Sequence, residues 1–321
     1  MNSDKSCEKR SVLSSMSNGG IMFHLFHDSH THKPGQGSIS AEQFQVILEK
    51  IGLDCILPAH EWALRAQNGS LKRGDVCLTF DDGLMCQYDI ALPVMRKHGL
   101  TAFWFVNSFH LVGELKLGQM EIFRRFRNEH FSSIDDFYTE FFPMALSSVY
   151  KAAVKRGMDS FPKDYLSEFK FYSEEDRKYR YLRDKVLKTA QFNQIMHQLM
   201  KEKNVTPEEL TKDLWLANNH LRVLEKEEHI IGLHSHSHPI SMEKLPVEKQ
   251  RQEYKKNYNI FCGILKQKPF AMAHPCNSYS KETLNILSDL GISLGFRSNA
   301  EKKKYNLLEL PRKDAVSFLV A

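Results

Sequence analysis

The chain has no CxxC pair and no cysteines at zinc-finger spacing. Its six cysteines (Cys7, Cys55, Cys77, Cys86, Cys262 and Cys276) are scattered over 321 residues. That excludes a disulfide framework and a zinc ribbon, and points to reduced thiols. Long apolar runs are also missing, which excludes a bilayer-spanning helix and an integral membrane protein. The opening segment, MNSDKSCEKRSVLSSMSNGG, is polar and lacks the apolar centre of a secretory signal. The expectation is a cytoplasmic protein with a loose tail over residues 1–18. Charge of one sign is lacking too, with 44 Lys and Arg against 39 Asp and Glu, a net +5. The basic runs, Arg124-Arg125 with Arg127 and Lys302 to Lys304, are short and mixed with acids. They read as solvated faces, and nothing calls for a nucleic-acid partner. The small basic excess suits an anionic substrate such as a sugar on a phosphate carrier. There is no internal repeat and no low-complexity tract.

What is present is an alternation of short apolar runs and amphipathic segments. The strand-like runs are Gly20–His27, Asp75–Phe80, Thr101–Val106, His229–Leu233, Phe270–His274 and Ile292–Arg297. Between them lie helix patterns. Ser40 is a plausible N-cap with Gln43 three residues on, and Phe44, Ile47, Leu48 and Ile51 then mark one face that Gly52 ends. Ile90–His98, Val247–Leu265 and Lys281–Leu290 follow the same logic, the first and last stopped by Gly99 and Gly291. Strand–helix–strand alternation is the signature of a parallel sheet in an α/β fold. From about 108 to 219 the β-branched residues thin out and charge mixes with apolar residues at helical spacing, so a helical insertion is expected inside one domain spanning 19–321.

Two motifs place metal-competent side chains just after predicted strands, the edge where parallel α/β architectures build sites. The first is Thr79-Phe80-Asp81-Asp82-Gly83. Adjacent carboxylates repel, so the pair needs an outside positive charge. A divalent cation held by one would leave the other as a base. Taken alone, an acidic turn is the better account of it. The second is His234-Ser235-His236-Ser237-His238-Pro239. Neutral imidazole is a common metal ligand, and a solvated loop has no reason to collect three. Spacing leaves two pairings open. A continuing strand would pair His234 with His236, whereas a turn at Ser235, favoured by Pro239, would let His234 and His238 converge. One Asp and two His match the protein ligands of a catalytic zinc with an open position.

In this combination and order the sequence resembles the polysaccharide deacetylases, also called the NodB-homology or carbohydrate esterase family 4 enzymes. The resemblance runs from Gly20 to Ser298 apart from the insertion. It implies a distorted (β/α) barrel, with Asp81 as catalytic base and Asp82, His234 and His238 as ligands of a divalent metal. Zinc is the first choice of metal, with cobalt, nickel or manganese as alternatives. Ser235 matches the hydroxyl residue that fixes the loop, and His236 falls at a variable position and is not assigned as a ligand. The third motif corresponds to Ala273-His274-Pro275-Cys276-Asn277-Ser278-Tyr279-Ser280. There Pro275 is kept and the N–H of Cys276 matches the backbone oxyanion donor. Ala273 stands where an arginine would support the base, however, and Cys276 itself reads as a small buried thiol. The family's C-terminal L-x-H, whose histidine is the general acid, is absent. Leu310-Pro311-Arg312-Lys313-Asp314 resembles the ending of divergent members. Replacements are therefore expected: His274 first for the acid, with His24 or His27 behind it, and Arg297 or Arg312 for the arginine.

The resemblance implies a hydrolase that removes an acetyl or formyl group from an N-acylated sugar. The substrate would be a free or carrier-linked intermediate of surface polysaccharide biosynthesis. Alternatives are a catalytically inactive carbohydrate-binding protein on the same fold and a sugar O-deacetylase. A metal-storage protein using both histidine-rich loops, His27–His32 and His234–His238, would bind several ions per chain. No motif speaks to oligomeric state.

Overall fold

A computed structural model describes residues 18–167, 172–301 and 306–319. The tail expected over 1–18, apart from Asn18, and the run Lys302 to Lys304 lie outside these. The chain divides into two compact units, residues 1–117 with 213–321, and residues 118–212.

The first unit is built on seven parallel strands: β1 (Gly19–Phe23), β2 (Val76–Asp81), β3 (Ala102–Val106), β4 (Ile230–Leu233), β5 (Ala271–Ala273), β6 (Leu294–Phe296) and β7 (Arg312–Asp314). Their order is β6-β5-β4-β3-β2-β1-β7. The two outer strands approach each other through a parallel bridge between Phe296 and Leu310. The N–H of Arg297 donates to the Leu310 carbonyl at 2.8 Å, so the sheet is a nearly closed barrel. This is the distorted (β/α) barrel expected from the sequence.

Its helices are α1 (Ala41–Ile51), α2 (Ala59–Gln67) and α3 (Leu92–Lys97), and, beyond the second unit, Asn218–Lys226, Val247–Ile264 and Lys281–Asp289. α1 starts as its sequence dictates. Ser40 Oγ accepts from the Gln43 N–H, Gln43 Oε1 accepts from the Ser40 N–H, and the four apolar residues of its face are buried.

Strand β3 shows how the two-residue period divides the core. Phe103 and Phe105 point to the side holding Trp62 of α2 and Phe296 of β6. Trp104 points to the other side, stacking on Phe80 at 4.7 Å in a layer that continues through Phe23 to Phe44 of α1. Thr79 and Asp81 of β2 therefore face away from the Phe80 layer. Gly20 of β1 leaves room on that same face. A Cβ there would meet Thr79 Cγ2 at 2.9 Å and Arg312 Cγ at 3.1 Å.

The second unit is helical: α4 (Gln119–Glu129), α5 (Ile134–Ser147), α6 (Lys151–Asp159), α7 (Glu174–Tyr181), α8 (Thr189–Glu202) and α9 (Pro207–Thr211). Phe137, Phe141, Tyr179 and Phe192 form its aromatic centre. The expected solvated face at Arg124–Arg127 is corrected here. Arg127 is buried, with its guanidinium 5.0 Å from the Tyr179 ring centre, because an arginine stem and plane pack against aromatic rings as an apolar group does. The remaining helices of the first unit are α10 (Asn218–Lys226), α11 (Val247–Ile264) and α12 (Lys281–Asp289).

Candidate metal centre

The site is assembled at the C-terminal ends of β1, β2, β4 and β5, with Arg312 reaching in from the first position of β7, all in the first unit. β2 ends at Asp81, and the chain then turns through Asp82 at φ +74° and Gly83 at φ +63°. β4 ends at Leu233 and releases His234, Ser235 at φ +59° and His238 at φ +54°. Of nine non-glycine residues at positive φ among those described, five (Asp82, Ser235, His238, Cys276 and Asn277) sit in these strand-end turns. Each such residue costs about 1–3 kcal/mol, so the surrounding contacts must impose the conformation.

Those contacts are visible. Asn257 of α11 is fully buried. Its Oδ1 accepts from the His234 N–H at 3.0 Å and its Nδ2 donates to the Val106 carbonyl at 3.3 Å. The His234 Nδ1–H donates to the Ala273 carbonyl at 2.9 Å, which fixes the tautomer and turns Nε2 towards Asp82. Ser235 Oγ accepts from the His238 N–H at 3.1 Å, the loop-fixing role its position implied. Ser237 donates its N–H and its hydroxyl to the carboxylate of Glu253 at 2.8 and 2.7 Å.

The result is one carboxylate and two imidazoles with ligand atoms within 4.8 Å of one another: Asp82, His234 and His238. Asp82 Oδ1 lies 3.5 Å from His234 Nε2 and 3.4 Å from His238 Nε2. Ligands about 2.0–2.1 Å from a tetrahedral zinc stand about 3.3–3.4 Å apart, so the donor set fits a small divalent cation. Of the two pairings left open by spacing, His234 and His238 are the histidines that converge on Asp82. His236 is turned aside, with Nδ1 at Ser108 Oγ and Nε2 at Glu114, both 3.0 Å away.

Asp81 is buried beside this set and is gripped by Arg312. Nη1 donates to Oδ1 at 2.6 Å and Nη2 to Oδ2 at 2.7 Å, with Nη1 also 3.2 Å from Thr79 Oγ1. Burial by itself would raise the Asp81 pKa, but Arg312 and then His234 outweigh it and hold the carboxyl below its ordinary range. Burial likewise opposes ionisation of Asp82, and His234 and His238 reverse it. Of the two arginines weighed from sequence, Arg312 is the one that pairs with Asp81. Arg297 holds the neighbouring loop through the Glu309 and Glu301 carbonyls, and its own carbonyl accepts from Arg312 Nε at 2.7 Å.

Two expectations need correction. His274, the first choice for the acid, is 1% exposed. Its Nε2–H donates to the Leu308 carbonyl at 2.8 Å and its ring stacks on Tyr279. Burial pushes its pKa down to about 3, so it is neutral near pH 7 with its only N–H committed elsewhere. Cys276 is exposed rather than buried, on the turn Pro275–Asn277 that directly follows β5. Its backbone lies in the left-handed region at φ +50°. His27, the third acid candidate, has Nδ1 at Ser38 Oγ, 2.8 Å away. Sequence reasoning missed Gln87, whose Nε2 bridges the carbonyls of His24 and Asp81 at 2.8 and 2.6 Å. It sits in a π-helical turn, Gln87–Ala91, where an amphipathic pattern shows only helix.

The polysaccharide deacetylase family model matches residues 177–295, a span holding the His234 loop and His274 but not Asp81 and Asp82. No curated protein has a significantly similar sequence. Solved structures do resemble the chain. The deacetylase PplD of Streptococcus pyogenes, solved with acetate, has 16% identity and a TM-score of 0.52 over 94% of this chain and 96% of that one. A de-N-acetylase of Aggregatibacter actinomycetemcomitans has 12% identity and a TM-score of 0.53 over 93% and 95%. IcaB of Ammonifex degensii has 13% identity and a TM-score of 0.50 over 93% and 92%. At such identities the likeness is one of fold. The family match covers residues 177–295 and the fold is that of solved polysaccharide deacetylases, so the chain is similar to these proteins in part of its sequence and in its fold.

Proposed function

We propose that this protein is a metal-dependent hydrolase that removes an acyl group, acetyl or formyl, from the nitrogen of an N-acylated sugar. One observation carries the reading: the Asp82–His234–His238 donor set stands next to an aspartate held ionised by a buried arginine. When bound, a divalent cation polarises the acyl carbonyl and acidifies water. Asp81, oriented by its two bonds to Arg312, accepts the proton of the attacking water. The N–H of Cys276, on the turn after β5, is the donor assigned to the developing oxyanion.

The catalytically inactive alternative drew its support from the altered third motif and the absent L-x-H. Arg312, paired with Asp81 from β7, supports the active reading by standing in for the missing arginine. The fold-level relatives described as a deacetylase with acetate and a de-N-acetylase agree with the proposed chemistry. The proposal extends to a carrier-linked intermediate of surface polysaccharide assembly, handled in the cytoplasm. The net charge of +5 suits a phosphate-bearing carrier.

The test combines metal analysis with acetate release from a panel of N- and O-acetylated sugars after loading with Zn²⁺ or Co²⁺. Wild type is expected to hold one metal per chain and to release acetate from an N-acetylated sugar. Asp82→Ala and His234→Ala are expected to lose both. Asp81→Asn keeps the metal and loses about 10²–10⁴-fold in turnover. Full metal occupancy in both ligand variants would sink the assignment.

A further inference from the structure

The turn that carries Asp82 is held by a segment from far along the chain. At φ +74° and +63°, Asp82 and Gly83 adopt a conformation that their surroundings must impose. Leu84 pairs with Trp215 in an antiparallel bridge. The Gly83 carbonyl accepts from the Leu216 N–H and the Met85 N–H donates to the Leu214 carbonyl, both at 2.9 Å. The loop that carries His234 and His238 is held in a similar way. The His236 carbonyl accepts from the N–H groups of Ser108 and Phe109 at 3.3 and 3.1 Å, and Ser108 Oγ lies 3.0 Å from His236 Nδ1. Each ligand turn thus leans on its own short segment, 214–216 before α10 and 108–110 after β3.

Rings join those two segments to each other. The His110 imidazole stacks on the Trp215 indole with ring centres 5.7 Å apart and planes 11° apart, and Phe109 meets Trp215 edge to face at 5.1 Å. Phe109 and Trp215 are buried. Burial pushes the His110 pKa down to about 3, so near pH 7 the ring stacks as a neutral aromatic. The buried indole N–H of Trp215 has no partner among the described residues. What Trp215 contributes is therefore its ring face and not its polar handle.

We infer that His110 and Trp215 are positioning residues, whose stack clasps segments 108–110 and 214–216 together and so holds the Asp82 turn and the His234 loop at metal-binding distance. The inference rests on the metal reading above. The three donors come from two separate strands, β2 and β4, and the sheet fixes only where those strands end. The turns beyond the ends carry the ligands, and the stack ties those turns to each other.

The experiment compares wild type with Trp215→Leu and His110→Leu, which lose the stack, and with Trp215→Phe and His110→Phe, which keep it. Zinc affinity is read by chelator competition, ligand geometry by the visible absorption of the Co²⁺-loaded protein, and folding by circular dichroism of the metal-free protein. Both Leu variants are expected to fold, to bind Zn²⁺ about 10–100-fold more weakly and to change the Co²⁺ absorption. Both Phe variants should stay within about threefold of wild type and keep its spectrum. Wild-type affinity in either folded Leu variant would overturn the inference, and so would Phe variants as weak as the Leu ones. If Trp215→Leu does not fold, His110→Leu decides, since His110 is only half-buried. If neither folds, the stack holds the barrel and not the ligand turns, and the inference fails. A wild type that binds no zinc instead defeats the metal reading, and the inference with it.

Discussion

The chain carries two histidine-rich loops, and among the described residues only one of them contributes to a candidate metal group. His27, His30 and His32 follow β1; His234, His236 and His238 follow β4. In the first loop Asp28 Oδ1 accepts from the N–H groups of His30, Thr31 and His32 at 2.9, 2.7 and 2.9 Å, so the local carboxylate is used up closing a turn. His32 then pairs with Asp89 at 2.8 Å, and His30 is exposed. In the second loop the backbone is held from outside by Asn257 and Glu253 of α11, and the His234 ring by the Ala273 carbonyl of β5. Two imidazoles are thereby turned onto a carboxylate from another strand. Among the described residues the second loop supplies the one candidate metal group. Counting histidines does not find a site, whereas imported support does.

The sharpest way to break this comparison is to remove the support and keep the ligands. Asn257→Ala leaves the His234 N–H and the Val106 carbonyl buried without partners, at about 1–3 kcal/mol each. We expect a loss of about 3 kcal/mol in urea unfolding of the metal-free protein. A change below about 0.5 kcal/mol would mean that the loop holds itself.

Glu253→Ala comes next. It frees both groups of Ser237, and metal affinity measured by chelator competition should weaken about 10–100-fold. An unchanged affinity would show that α11 does not shape the ligand loop.

The smallest effects belong to the first loop. His30→Gln with His32→Gln should leave one metal per chain, and a drop in stoichiometry would revive the storage reading. Asp28→Ala should cost about 1 kcal/mol or less, given its partial exposure. The Asp28 pKa is depressed to about 2, since three backbone donors and nearby His32 outweigh the opposing effect of burial. A depressed carboxylate contributes stability above its unfolded pKa and loses it as pH falls through the folded value. The gap between wild type and Asp28→Ala should therefore close between about pH 4 and pH 2, read by thermal melts.

Much of the first unit was legible. Its strands and most of its helices follow from apolar runs, helical spacing and glycine stops, because each element records its own buried face in its own residues. α2 and β7 were not read. β7 is three residues, Arg-Lys-Asp, with no apolar pattern, and its place in the sheet comes from pairing Gly20 with Arg312 across nearly the whole chain. The π-helical turn at Gln87 was hidden for a related reason, since its amphipathic face is that of an ordinary helix. The thiol of Cys276 was misjudged because residue type says nothing about a turn at positive φ.

The sequence by itself determined the metal-competent quartet and its order, since Asp81, Asp82, His234 and His238 lie within two compact motifs at strand ends. Only the tertiary structure decided their partners. Arg312, Gln87, Asn257 and Glu253 come from distant segments with no local signature. The physical reason is that a strand end announces a ligand through its own residues, whereas supporting charges and hydrogen bonds are fixed by barrel closure. Closure brings residue 312 against residue 81 without leaving a pattern near either.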